Sequence, residues 1–302
     1  MLIKKHISHF KKCKICNKKG VSFFKKNYSD LEFKNFFKNF YGYKQSRILL
    51  SILDNYKFHM LKCNNCNFIW QEVQPIGKIA FKLYEEIIDQ NKSYLKNKYL
   101  SKKIKNKVKL EEKLMENYFP SKKIKVLDFG AGWGNWLDHL DKEKFDLFAF
   151  ELSKTRSIHL KNKGIKILNF SNVRKYEKFF DYIRLEQVLE HITELNECMQ
   201  NLRRLTKKNS VINVSVPNGA NEINNCKIRV CKGPIQPLEH VNCFSNISLK
   251  KLFYKHGFVS LKTSELFKFS FDSFYEIFPK SKFFTKSLLD SKFSTSLKFK
   301  LK

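Results

Sequence analysis

The sequence predicts an α/β protein in which a Rossmann-like sheet, with helices on both faces, follows a small metal-binding domain. From Lys125 onward, short apolar strands alternate with helical stretches, and a glycine-rich turn follows the first strand. Before that point the chain carries two Cys-x-x-Cys pairs, a pattern typical of metal binding. A length of 302 residues suits two such units.

Composition excludes several classes of protein. Hydrophobic residues make up 42% of the chain and aromatic residues 15%, enough apolar surface to build a core and to exclude wholesale disorder. No apolar stretch approaches the roughly 18 residues of a membrane span, and the first residues lack the apolar region of a secretory signal. We therefore expect a cytoplasmic protein.

The charge balance is strongly basic. The formal net charge is +31, which would ordinarily indicate a nucleic-acid or anionic membrane partner. Only 7 of the 59 basic residues are arginine, however, and arginine is the residue that best matches phosphate. A joint surplus of Lys, Phe, Asn and Ile favours a bias of the coding sequence. RNA stays open as a less favoured partner.

Four of the eight cysteines are organised in pairs. Cys13 and Cys16 form one Cys-x-x-Cys knuckle, and Cys63 and Cys66 form the other. Each knuckle aims two thiolates at one point, so two knuckles complete a tetrahedral sulfur site, usually for zinc. With four sulfur ligands the ion would be structural, and residues 17–62 between the pairs must carry structure of their own.

A helical arm is predicted between Gly77 and Phe119. Ile79, Leu83 and Ile87 recur at helical spacing, lysines crowd the second half, and Pro120 ends the pattern. We interpret the lysine-rich part as a solvated face rather than a binding surface.

The glycine-rich turn opens the α/β region. Residues 126–129 read Val-Leu-Asp-Phe, residues 130–134 read Gly-Ala-Gly-Trp-Gly, and residues 135–140 are predicted as the following helix. Asn135 stands where a dinucleotide-binding turn has its third glycine, and no Gly-Lys-Ser/Thr follows. The turn therefore disfavours both nicotinamide or flavin binding and an ATPase-type phosphate loop.

Two acidic residues flank this turn. Asp128 precedes it, and Glu151 ends the next predicted strand, where a carboxylate can accept hydrogen bonds from both ribose hydroxyls. The glycines Gly130, Gly132 and Gly134 let the main chain approach a ligand closely. These features suit a ligand that has a ribose and a charged amino-acid tail, with Asp128 helping to fix its ammonium group.

Residues 126–134 resemble motif I of class I S-adenosylmethionine-dependent methyltransferases, and Glu151 resembles their ribose-binding acid. The resemblance implies a seven-stranded sheet and S-adenosyl-L-methionine as methyl donor. Residues 180–191 are similar to the fourth-strand motif of these enzymes, which ends in Leu-Glu-His, and Glu186 and Gln187 would line the donor pocket. Asn172 is a weaker candidate for contact with the adenine.

Residues 237–245, Pro-Leu-Glu-His-Val-Asn-Cys-Phe-Ser, resemble a segment of zinc-containing methyltransferases that act on sugar nucleotides and surface polysaccharides. The resemblance implies a sugar-nucleotide or glycan acceptor, methylated on oxygen or carbon. The chain ends soon after Gly257, without room for the further C-terminal domain of the sugar C-methyltransferases, which favours oxygen. RNA methylation, with the basic N-terminal half holding RNA, and a non-catalytic binding protein remain alternatives.

His240 is the first candidate for the general base that removes the acceptor proton. Glu239 beside it would orient the imidazole or share the proton, and the resemblance to the sugar methyltransferases implies that this Glu-His pair lies in the active site. His191 is the second candidate, although a structural role for it is favoured.

The remaining features set the domain boundaries. Cys198, Cys226, Cys231 and Cys243 are predicted as buried thiols, with a second metal at Cys226 and Cys231 less favoured. The tail from Leu266 is predicted to pack and then fray, with peripheral membrane contact as the alternative. The predicted domains are a zinc-binding domain (1–76), a helical arm (77–120), a methyltransferase domain (121–265) and a Phe/Lys-rich tail (266–302).

Overall fold

The computed structural model of the protein describes residues 7–119, 123–220, 231, 233–261 and 294–302. The strands are β1 (Ile7–His9), β2 (Val21–Asn27), β3 (Lys57–Lys62), β4 (Ile69–Gln71), β5 (Val73–Pro75), β6 (Ile124–Phe129), β7 (Phe145–Phe150), β8 (Lys166–Leu168), β9 (Phe180–Glu186), β10 (Thr206–Pro217), β11 (Asn242–Cys243), β12 (Phe258–Ser260) and β13 (Ser294–Leu301). The helices are α1 (Leu31–Tyr41), α2 (Tyr43–Leu53), α3 (Gly77–Lys82), α4 (Gln90–Tyr118), α5 (Lys154–Asn162), α6 (Leu195–Leu205) and α7 (Asn246–Lys255). Within these ranges no helix is both long enough and apolar enough to cross a bilayer.

Three stretches of chain make up the first of two units: Met1–Ser93, Leu189–Cys198 and Pro217–Leu252. Its antiparallel sheet has the strand order β11-β4-β3-β2, and β1 pairs with β5. Helices α1 and α2 place Phe33, Phe37 and Leu49 in an aromatic-rich core because these residues recur on one helical face.

The second unit comprises Tyr94–Val188, Met199–Val216 and Phe253–Lys302. Its seven-stranded sheet has the order β12-β13-β10-β9-β6-β7-β8. Strands β6 to β10 run parallel, whereas β12 and β13 pair antiparallel. The parallel strands read as apolar runs because both of their faces are covered. This confirms the predicted Rossmann-like fold.

Strand β6 lies at the point where the strand order reverses. From β6 the chain continues to β7 and β8 on one side, and then returns to β9 on the other side. In open parallel sheets, ligands bind at the carboxyl ends of the strands beside such a reversal. The turn after β6 and the ends of β7 and β9 are therefore the edge that matters for binding.

The helix predicted for residues 135–140 is wrong, since the segment holds only a short 3-10 turn, Leu137–His139. A second turn begins at once, because the amides of Lys144 and Phe145 both bond to the carbonyl of Asp141 and lead into β7. Too few residues remain for a helix. The buried Trp136 and Leu137 explain the apolar pattern that predicted one.

The predicted arm is helical but interrupted. A single turn of π-helix, Leu83–Ile87, follows α3, and the chain is extended at Ile88. The carboxylate of Asp89 accepts a hydrogen bond from the Lys92 amide at 3.0 Å, which starts α4 as a separate helix. From Tyr94 this helix belongs to the second unit, where Val108 and Met115 join the core.

The C-terminal residues do not fray as predicted. Ser294–Leu301 form β13, an inner strand of the seven-stranded sheet. Phe299 is 1% exposed and stacks on Phe253 with ring centroids 3.9 Å apart, so burial of this ring holds the strand. The rest of the predicted tail that precedes residue 294, like Cys226, lies outside the described residues.

Candidate active site

The four paired cysteines converge within the first unit. Their sulfur atoms all lie within 4.8 Å of one another, and all four cysteines are free thiols. The two knuckles are alike: the amide of Asn17 bonds to the Cys13 carbonyl, and that of Asn67 to the Cys63 carbonyl. Both asparagines have positive φ, 61° and 52°, which turns each knuckle back on itself. The arrangement fits a tetrahedral metal ion.

The thiols differ in their affinity for protons. Burial raises the pKa of Cys13 far above its ordinary value and that of Cys66 to about 12. Burial opposes ionisation at Cys16 as well, but hydrogen bonds from the Lys18 amide and neighbouring side chains lower its pKa to about 6. One thiolate therefore forms readily, and a cation would offset the cost of ionising the others.

Backbone conformation shapes the glycine-rich turn of the second unit. Gly130, Gly132 and Gly134 all have positive φ, a region that residues with a side chain rarely adopt. A Cβ on Gly130 would come within 2.6 Å of Val188, whereas one on Gly132 would meet no atom within 4 Å. The turn is therefore packed on one side and open above Gly132, as a bound donor requires.

Glu151 links the end of β7 to this turn. One carboxylate oxygen accepts the Gly132 amide at 2.8 Å, and the other accepts the Ser153 amide at 2.8 Å. Burial raises the pKa of Glu151, although these amides favour the charged form. Each oxygen keeps a further lone pair, which is what binding of two ribose hydroxyls needs.

A buried arginine connects several acids beside the turn. The Arg184 guanidinium lies 3.5 Å from Asp128, 3.3 Å from Glu186 and 3.8 Å from Glu111. Glu111, on α4, also accepts hydrogen bonds from Trp136 at 2.9 Å, from Asn213 at 2.8 Å and from the Tyr182 hydroxyl. No role for Arg184 or Glu111 was predicted from the sequence. An arginine within the apolar strand Tyr182-Ile183-Arg184-Leu185 is the signal that could have revealed a buried ion pair.

Within this network the pKa values of Asp128 and Glu111 are shifted in opposite directions. Burial raises the pKa of Asp128 to about 6, although Arg184 opposes the shift. Burial acts in the same direction on Glu111, but Arg184 and the Tyr182 hydroxyl outweigh it and lower its pKa. The pKa values of the two acids thus shift in opposite directions, although Arg184 favours the charged form of both.

The other predicted donor-site residues lie on two loops. Gln187 follows β9 with φ of 55°, and its amide bonds to the Ser215 carbonyl at 2.8 Å. The Asn172 side chain is used within its own loop: it accepts the Asn169 amide at 2.9 Å and donates to the Ile167 carbonyl at 3.3 Å. The predicted contact of Asn172 with adenine remains a prediction.

The histidines predicted to act in catalysis lie together in the first unit. The rings of His191 and His240 are 4.8 Å apart and nearly perpendicular. Nδ1 of His191 donates to the Glu239 carbonyl at 3.0 Å, and Nδ1 of His240 donates to the Gly233 carbonyl at 2.9 Å. Because a carbonyl only accepts, these bonds fix the tautomers and leave the lone pair on Nε2 of each ring.

Burial keeps both rings neutral. It lowers the pKa of His191 to about 4, and burial together with the neighbouring His191 lowers that of His240 to about 3. The carboxylate of Glu239 accepts the Tyr41 hydroxyl at 2.6 Å. Orientation of the two rings thus comes from main-chain carbonyls: the Glu239 carbonyl holds His191, whereas the Gly233 carbonyl holds His240, the ring that Glu239 was predicted to orient.

Residues 98–263, more than half of the chain, match the model of a family described as a methyltransferase domain. The chain belongs to this family. The predicted enzyme class is confirmed: the chain carries a methyltransferase domain of class I, the class that uses S-adenosylmethionine as methyl donor. The turn, Glu151 and the open space above Gly132 fit that donor.

A curated relative of this methyltransferase is the ubiquinone biosynthesis O-methyltransferase of Rickettsia prowazekii, 27% identical over 124 residues. The match covers 37% of this chain and 49% of the relative, so the methyltransferase spans about half the length of the protein it matches. Two solved structures are similar. A Pyrococcus horikoshii protein has a TM-score of 0.43 at 16% identity, covering 74% of this chain and 96% of its own. An S-adenosylmethionine-dependent methyltransferase of Aquifex aeolicus has a TM-score of 0.44 at 15% identity, covering 71% and 100%.

Proposed function

We propose that the protein methylates a hydroxyl oxygen of a small-molecule acceptor, a sugar nucleotide or a surface-polysaccharide precursor. The observation that carries this proposal is the pair of neutral imidazoles of His191, which is partly buried, and His240, which is buried, each with a lone pair on Nε2. A hydroxyl needs such a group to take its proton. The relative from Rickettsia prowazekii is an O-methyltransferase, which agrees with oxygen as the acceptor atom. The resemblance of residues 237–245 supports the sugar.

His240 is proposed as the base. When bound, S-adenosylmethionine supplies a methyl group already activated on its sulfonium, so the chain must chiefly position the acceptor and remove its proton. Nε2 of His240 would accept the hydroxyl proton as the acceptor oxygen takes up the methyl group that the donor supplies. The Gly233 carbonyl stabilises the resulting imidazolium through Nδ1.

Donor binding is assigned to the second unit. Glu151 is proposed to hold the ribose, and Asp128 to interact with the donor's ammonium group. Arg184 holds Asp128 and Glu186 in place. Glu186, Gln187 and Gly134 complete the proposed donor pocket.

The four cysteines are proposed to bind structural zinc. Zinc prefers a tetrahedral set of thiolates, and four sulfur ligands leave no position open for chemistry. Cys13 and Cys16 stand at the start of the first unit, whereas Cys63 and Cys66 follow β3. The ion would therefore tie the N-terminal strands to the antiparallel sheet.

The decisive experiment uses donor labelled in its methyl group and an extract of the source cells. Labelled product is separated into small solutes, glycan, lipid, RNA and protein. Label in sugar nucleotides or glycan is expected. Label in quinone precursors would replace the sugar with an aromatic acceptor, and label released by ribonuclease would contradict a small-molecule acceptor altogether.

The base is tested separately with His240→Gln. Turnover is expected to fall at least 100-fold, the lower end of what a general base contributes, while the donor Kd stays within twofold. His59→Gln serves as the control, because His59 is bound to Glu72 elsewhere in the first unit. Full turnover in His240→Gln would refute the assignment of the base.

A further inference from the structure

We propose that Glu190, His191 and His240 form a second metal site, which binds one divalent ion of the zinc type. One ligand atom from each residue lies within 4.8 Å of the other two. Two imidazoles and one carboxylate are a known zinc donor set that keeps a fourth position open. This site shares no residue with the four-cysteine cluster.

The hydrogen bonds of the two rings prepare them for coordination. Metal-bound histidines almost always donate their other ring nitrogen to a carbonyl or a carboxylate, which fixes the tautomer. His191 and His240 already do so, through the Glu239 and Gly233 carbonyls. Each imidazole therefore offers Nε2 to a metal ion without first losing a proton.

The Glu190 carboxyl group supplies the third ligand. Glu190 is 1% exposed, and one of its oxygens lies 3.9 Å from Nε2 of His191. Tetrahedral ligands about 2.1 Å from a zinc ion are roughly 3.4 Å apart, so this pair must close by about half an ångström and no pair in the cluster by more than about 1.4 Å. The His191 side chain is 23% exposed, which leaves a route for the ion from solvent.

A metal ion bound at this site would affect turnover, and this step of the inference rests on the proposed role of His240 as the base. The Nε2 lone pair of His240 can coordinate a metal or accept a proton, but not both at once. Metal binding and methyl transfer therefore compete. Added zinc is expected to inhibit turnover while the donor affinity stays unchanged.

The test is a cobalt(II) titration of the full chain with its cysteine cluster already loaded with zinc. Wild-type protein is expected to bind one Co²⁺ with visible absorption bands and without the near-ultraviolet bands of cobalt thiolate. Glu190→Gln, nearly isosteric, and His191→Gln should each weaken this binding at least tenfold. His59→Gln, which changes a histidine beside a different glutamate, should bind as wild type does.

Absence of the additional Co²⁺ in wild type, or unchanged affinity in both cluster variants with native circular dichroism, would overturn the metal site. Turnover that rises with zinc would overturn the competition. The titration needs neither donor nor acceptor. Lack of methyl transfer would thus count against the proposed function alone, and loss of cobalt binding against the metal site alone.

Discussion

At the scale of single residues, two separate constraints require glycine at position 130. Its φ of +81° lies in the left-handed region, and a Cβ would come within 2.6 Å of a Val188 methyl group. Gly130→Ala therefore displaces β6 or the Val188 segment, and with it the main chain that faces the donor. Donor affinity is expected to fall at least tenfold, measured by isothermal titration calorimetry.

Gly164 provides the matched control. Its φ is +78°, and a Cβ there would meet no atom within 4 Å. Gly164→Ala carries the same backbone strain of about 1–2 kcal/mol without a collision, and should leave the donor affinity within twofold. Equal affinities of the two variants would show that strain alone, and not packing against Val188, governs position 130.

Residue patterns in the sequence predicted features that depend on local chemistry. The convergence of the four paired cysteines could be predicted, because each Cys-x-x-Cys turn forms within a few residues. Glu151 could be placed because a strand and a turn fix its position. The network of Arg184 and Glu111 could not, because its members come from β9 and α4 and meet only when the sheet and helix pack. No local spacing encodes that contact.

At the scale of elements, hydrophobic pattern predicted the strands well and misassigned two segments. Strands β6, β7, β9 and β10 are apolar runs bounded by turn residues, so their existence follows from sequence. Residues 135–140 have a helical pattern, but the turn at Asp141 leaves no room for a helix. The last strand was missed because the segment reads as a basic tail, although Lys298 and Lys300 alternate with apolar residues in the period-two pattern of a strand. Pairing with β12 decides its structure.

Phe299 tests how far this last strand stabilises the sheet. Phe299→Ala removes a ring that is 1% exposed and stacks on Phe253. The free energy of unfolding is expected to fall by about 3–5 kcal/mol, as for other buried phenylalanines, in urea denaturation. Phe170→Ala, where the ring is 54% exposed, should cost under about 1 kcal/mol. Similar losses in the two variants would mean that β13 contributes little to the sheet.

At the scale of the whole molecule, each unit has its own core. Each unit is also built from three separate stretches of the chain. Three stretches build the first unit, and two of them, Leu189–Cys198 and Pro217–Leu252, directly follow β9 and β10. The sequence assigned both stretches to the methyltransferase domain because they lie between its strands. Ile235 and Leu238, from the second of these stretches, share an apolar core with residues of α1 and α2.

Removal of zinc tests the two units separately, because it should lower the stability of the first unit and leave donor binding by the second unit unchanged. A chelator, or Cys63→Ser, should destabilise the first unit, because Cys63 and Cys66 would no longer be tied to the N-terminal knuckle. The full chain is then expected to unfold in two steps in urea, with an early step absent from zinc-loaded protein. Donor affinity should stay within twofold, since Gly132, Glu151 and Arg184 rest on the separate core of the second unit.

Cys198→Ser is the matched control, a buried thiol of the first unit outside the four-cysteine cluster. It should neither release zinc nor add the early unfolding step. An unfolding curve that chelation leaves unchanged would refute a structural role for zinc. An early step that appears together with a large loss of donor affinity would instead mean that the zinc-dependent unit supports the donor site. The stability of the glycine-rich turn would then depend on the metal as much as on its own sheet.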